Sequence, residues 1–194
     1  MGSRGSYAKG VAKREEILQQ GLAVIAEQGY HATSIRDIAD AVGLSQAGLL
    51  HYFASKDELF EAILAKRDAM SLEHAAPEQD RALDALFQVI RHNQEVPGLV
   101  QLYVQQSAAA TDENHPSRGY FVDRYQQLLA QLEANVRAEQ AAGTITEALG
   151  SHEIASMIVA LTDGLQEQWL LGIEADMEHV LRGFAQLIRH QASV

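Results

Sequence analysis

The chain has 194 residues, 47% hydrophobic and 21% charged, with a formal net charge of −11, three prolines and no cysteine. Absence of cysteine excludes a disulfide scaffold, a thiolate metal site and a cysteine nucleophile. No apolar run of about 18 residues is present to span a membrane, and no secretory leader is recognisable, so the expected location is the cytoplasm. The charge is unevenly spread: through residue 56 there are six basic against five acidic residues, and beyond it nine against twenty-one. A near-neutral head thus precedes a strongly acidic body, which phosphates would repel.

In chain order, Ile17, Leu18, Leu22, Ile25 and Ala26 fall at helical spacing and predict a first helix over residues 9–28, stopped by Gly29. Ser34 and Asp37 form an acidic capping box that opens a second helix with Ile35, Ile38, Ala39 and Val42 on its apolar face. Gly43 breaks it after two turns, and Ser45 caps a third helix predicted to reach about Phe53. Ser55 with Glu58 opens a fourth, carrying Leu59, Phe60, Ile63 and Leu64 and running to about His74. Later segments keep the helical period. They are marked by Leu83 to Ile90, by Leu99 to Tyr103 after Pro97-Gly98, and by Tyr120 to Val136 from a start near His115–Ser117. Two more follow, Ile154 to Leu170 capped by Ser151, and Met177 to Ile188. No β alternation or repeat interrupts them. The expectation is an all-α fold of about nine helices.

Two short helices joined by a glycine turn at Val42-Gly43-Leu44-Ser45 have the geometry that lays one helix in a DNA major groove. Gln46, Ala47, Gly48 and His51 then face outward, while Leu49, Leu50 and Phe53 are expected inward. Gln46 has the amide to read adenine, and Ala47 the methyl to touch thymine. Thr33, Ser34, Ser45, Tyr52 and Lys56 are polar groups suited to phosphates, and Arg4, Lys9, Lys13 and Arg14 add cations for backbone or minor-groove contacts. From the pattern alone, the same helix pair also fits a helical protein that never meets DNA.

The order and spacing of Ile17-Leu18, Gly29-Tyr30, Thr33 to Ala39, Val42 to Ser45, Leu49 to Phe53 and Lys56 to Leu59 resemble the N-terminal domain of the tetracycline-repressor (TetR) family. The segment Leu161 to Leu171 is similar to the penultimate helix of many members. The resemblance implies a helix-turn-helix DNA-binding domain over residues 1–55, with a flexible N-terminal tail, and a ligand-binding and dimerisation domain over 56–194. It implies a cytoplasmic homodimer joined through the last two helices. That dimer would bind a palindromic operator, usually as a repressor, and a small-molecule effector would release it. Thr33, Tyr52 and Lys56 match the family's phosphate-contacting positions. Where many members carry lysine, glycine, threonine and tyrosine, this chain has Gln46, Ala47, Gly48 and Leu50. The effector pocket of the family lies among the middle helices, and candidates there are Phe87, His92, Tyr103, Gln106, Tyr120, Phe121, Tyr125 and Trp169.

No H-E-x-x-H, nucleophile elbow, phosphate loop or dinucleotide fingerprint occurs, so an enzyme is not expected, nor a metal or cofactor. The competing reading is a helical adaptor or an activator without small-molecule control.

Overall fold

A computed structural model describes residues 3–74, 87, 90, 91, 93–173 and 176–189. Its helices are α1 (Ser3–Gln28), α2 (Ile35–Ala41), α3 (Gln46–Leu49), α4 (Lys56–His74), α5 (Pro97–Ala109), α6 (Arg118–Ala141), α7 (Ser151–Leu170) and α8 (Met177–Ile188). Phe87, Ile90, Arg91 and residues 93–95 are helical as well. The fold is all-α, and no strand occurs among the described residues. No described helix is long and apolar enough to cross a membrane.

The chain forms two compact units. One holds residues up to Glu73 together with Val96–Arg118; the other holds His74–Glu95 and the chain from Gly119 onward. In the first unit, Ile17 and Ile25 of α1, Ile38 of α2, Leu49 of α3, Phe53, and Leu59, Phe60 and Ile63 of α4 are almost fully buried. Each such side chain contributes about 1.5–3 kcal/mol of hydrophobic stabilisation, which is how short helices with weak intrinsic stability are held in place. Helix α5 belongs to this core through Val100, Leu102 and Tyr103. Its first turn is seated so closely on α1 that a Cβ at Gly98 would lie 2.1 Å from the Ile25 carbonyl oxygen. Two further hydrogen bonds hold the seat: the Arg67 guanidinium donates to the Leu99 carbonyl (3.3 Å) and the Gln106 amide to the Tyr30 hydroxyl (3.3 Å).

The second unit packs Leu132 and Val136 of α6, Ile154, Ile158 and Leu165 of α7, and Met177, Leu181, Ala185 and Ile188 of α8 around Phe87 and Ile90. The α6–α7 loop is tied to the end of α8, where the Thr146 N–H donates to the Ile188 carbonyl at 2.7 Å.

Several boundaries differ from the sequence expectation. Helix α1 starts at Ser3 rather than Lys9, because Gly5 and Gly10 weaken a helix without breaking it. Helix α3 spans four residues, and the chain expected to stay helical to Phe53 leaves it at Leu50. Helix α6 starts at Arg118, past a tight turn at His115–Ser117. Helix α7 is capped at Gly150, not Ser151: the Glu153 carboxylate accepts the Gly150 N–H at 2.8 Å.

Candidate nucleic-acid interface

The interface is built on caps. The Ser34 hydroxyl accepts the Asp37 N–H (3.2 Å) and donates to the Asp37 carboxylate (2.6 Å), which also takes the Ser34 N–H (2.7 Å). The Ser34 hydroxyl, its backbone N–H and, more weakly, the Arg36 charge hold the Asp37 carboxyl below its ordinary range. The expected box at α2 is present. At the turn, Gly43 adopts φ +67°, a left-handed conformation in which a side chain would clash with the backbone. The Leu44 N–H then folds back onto the Ala39 carbonyl at 2.9 Å. Ser45 starts α3 by accepting the Gly48 N–H at 3.0 Å. Ser55 does the same for Glu58 at 3.0 Å, but the Glu58 carboxylate closes on the N–H of Ala54 instead of Ser55.

With Leu49 and Phe53 buried, the opposite side of the segment is open. Ser45, Gln46, Ala47, Leu50 and His51 are exposed, and Gly48 and Tyr52 half-buried. The His51 and Tyr52 rings meet edge to face, 5.9 Å between centroids. Lys56 is exposed next to them, its ammonium 5.2 Å from the Phe60 ring centre. Seven of the nine candidate residues therefore line one continuous stretch of chain from Ser45 to Lys56.

Thr33 and Ser34 precede α2 and are committed locally. Thr33 is buried and its hydroxyl donates to the Gly29 carbonyl at 2.8 Å. Its first role is to staple the turn after α1. The Ser34 hydroxyl serves the capping box.

Leu50 is the residue that sequence reasoning missed. It is 36% exposed, not turned inward. The available signal was its four-residue spacing from Gln46: the Leu50 N–H bonds the Gln46 carbonyl at 3.0 Å, so both side chains sit on one face.

The cations of α1 divide. Lys13 donates to the Val42 carbonyl at the turn (2.7 Å) and to Glu16 (3.0 Å). Arg14 lies 4.6 Å over the Phe53 ring and 4.0 Å from Glu58. Both hold α1 to the helix-turn-helix, while Lys9 is exposed. The Lys13 side chain is only 24% exposed, so its charged hydrogen bond has value for folding. Lys13→Met is expected to cost about 1–2 kcal/mol in chemical denaturation. An unchanged unfolding midpoint would return Lys13 to the role of a plain phosphate contact.

The effector candidates fall into both units. In the first, Tyr103 is buried with the Arg67 guanidinium 5.6 Å from its ring centre, and Gln106 is buried against Tyr30. In the second, Phe87 is buried beneath Arg182, 4.6 Å away, and Trp169 packs on the same apolar cluster. Tyr120 and Phe121 meet edge to face at 5.1 Å, and the Tyr125 hydroxyl donates to Asp163 at 2.7 Å. His92 lies outside the described residues.

Residues 17–63 match the family of bacterial regulatory proteins described as the tetR family. The chain is 31% identical over 126 residues to the HTH-type transcriptional repressor KstR2 of Mycobacterium tuberculosis, a match spanning 60% of either protein. Among solved structures, a TetR-family transcriptional regulator from Rhodococcus sp. superposes with a TM-score of 0.73 at 22% identity, over 92% of this chain and 98% of the other. A transcriptional regulator from Saccharomonospora viridis, solved in complex with choline, gives 0.71 at 25% identity over the same shares. These relatives are regulators of transcription rather than enzymes. The helix-turn-helix of the first unit thus lies in the stretch that matches the tetR family of bacterial regulatory proteins, and the described helices have the fold of these solved regulators.

Proposed function

We propose that the protein is a cytoplasmic, homodimeric repressor that binds a palindromic operator and leaves it when a small molecule occupies its C-terminal domain. Residues 1–55 form the DNA-binding domain in this reading, and residues 56–194 the ligand-binding and dimerisation domain. The observation that carries it is the stretch from Ser45 to Lys56. It is exposed on one side, anchored by Leu49 and Phe53 on the other, and capped at both its helix starts. A short helix backed by a packed core and open on its other side is what major-groove readout requires. Ser45, Tyr52 and Lys56 flank that face and supply phosphate contacts. The choline held by the Saccharomonospora regulator supports a small molecule as effector.

Dimerisation has its own support. Met177, Leu181, Ala185 and Ile188 of α8 face the core, yet Val180 and Leu187 form a second, exposed stripe on the same helix. Beside it, an open groove of about 590 Å³ runs between α7 and α8, lined by Ala160, Leu161, Gly164, Leu165, Gln168, Asp176, His179 and Val180. A second copy would cover both, and two DNA-binding domains are needed to reach two half-sites.

Fluorescence anisotropy with DNA flanking the protein's own gene tests the reading. Binding in the nanomolar range that weakens steeply with salt is expected. Lys56→Ala should weaken all sequences about equally and lower the salt slope by about 1. Absent or salt-independent binding to every fragment would overturn the assignment.

A further inference from the structure

The outward face of α3 has an unusual chemistry for a surface that must choose between base pairs. From Ser45 to Ser55 the chain contains no lysine, arginine, aspartate or glutamate. Of the neighbouring cations, Arg36 of α2 lies 3.7 Å from Asp40, Lys13 is bound to the Val42 carbonyl, and Lys56, exposed beyond the stretch with its ammonium 5.2 Å from the Phe60 ring centre, is the phosphate contact. The strongest reader of guanine, a cation bridging O6 and N7, and the carboxylate acceptor for the cytosine amine are both missing from the helix. In their place stand two apolar groups. Ala47 is exposed, and Leu50, three residues on and therefore on the same face, presents an isobutyl group to solvent. Gln46 completes the face one turn before Leu50.

We propose that this face reads thymine methyl groups. Leu50 and Ala47 pack on the C5-methyls of adjacent A·T pairs, and the Gln46 amide pairs with N6 and N7 of an adenine. Leu50 is thereby the specificity-determining residue. An exposed leucine gives up water only to another apolar surface, and the thymine methyl is the apolar group that a major groove offers. The core of each half-site is then a run of A·T pairs. The inference rests on α3 being the DNA-reading helix, and adds to that reading the class of sequence it recognises.

The test uses the full chain and changes the DNA. A random duplex library is selected on the protein, and the enriched duplex is remade with deoxyuridine replacing each thymidine in turn. This removes one methyl and leaves every base-pairing hydrogen bond. Selected half-sites should hold consecutive A·T pairs. At one or two thymines, deoxyuridine should weaken binding about fourfold, the loss of one methyl-sized contact. In Leu50→Ala, which alters an exposed side chain, that sensitivity should vanish at one of those positions while the protein stays folded. Deoxyuridine tolerated at every position, or a selected core of G·C pairs, overturns the inference and leaves DNA binding standing. Failure to enrich any sequence overturns the DNA-reading role itself.

Discussion

Gly98→Ala is expected to destabilise the protein by about 3 kcal/mol, at the upper end of what overpacking costs, and to lower the melting temperature by roughly 10 °C. The added Cβ would lie 2.1 Å from the Ile25 carbonyl oxygen and 3.0 Å from the Gly29 Cα. Both are backbone atoms, so no side chain can rotate away. Helix α5 would have to lift from the C-terminal end of α1, and its other ties would stretch with it: Gln106 to Tyr30, just past α1, and the Leu99 carbonyl to Arg67 of α4. Val100 and Leu102, now almost fully buried, would be prised from the same core. Gly119→Ala is the matched control. It is also helical, nothing lies within 4 Å of its added methyl, and its effect should stay within about 0.5 kcal/mol. Thermal and chemical denaturation measure both. Equal effects at the two glycines would mean that the α1–α5 contact is looser than drawn.

Gly98 also marks where the sequence stopped being readable. Local chemistry was legible: the Ser34–Asp37 box, the Gly43 turn and the Ser45 cap each involve groups within a few residues of one another, and all three are present. Apolar spacing also gave the core of α1, α2 and α4 almost residue by residue. Long-range partners were not legible. Pro97-Gly98 reads as a helix break; that the glycine admits the α1 backbone depends on a residue more than seventy positions away. A sequence lists the charges of Lys13 and Arg14 without their partners, and the Val42 carbonyl that Lys13 binds is 29 residues distant. Hydrophobicity alone predicts Leu50 inward. The buried face of so short a helix was already filled by Leu49, with Phe53 packed just beyond, and the next leucine was left outside.

The second large effect concerns the dimer. Combining Leu187→Glu with Met157→Glu should convert the protein to a monomer and lower operator affinity at least about 100-fold. Leu187 is 83% exposed and Met157 41% within one chain, so neither change should disturb the fold of that chain. A two-fold interface uses the same patch on both copies, so the pair of substitutions places four carboxylates in it. Burying an unpaired carboxylate costs several kcal/mol, while each lost apolar side chain removes about 1.5–3 kcal/mol more. That sum exceeds what an interface of ordinary size can absorb. Sedimentation velocity reads the oligomeric state and anisotropy the DNA affinity; a double variant that stays dimeric at micromolar concentration places the interface elsewhere. Two mid-helix glycines sharpen the test. Among the described residues, Gly164 of α7 and Gly183 of α8 have nothing within 4 Å of an added Cβ, so no described contact explains them. In an isolated chain, alanine at either site should stabilise its helix by about 0.8–1 kcal/mol. If the partner's backbone passes close to these positions, the same methyl obstructs it. Gly164→Ala should then weaken the dimer while leaving the monomeric double variant more stable, a reversal of sign that only an interface at this face produces.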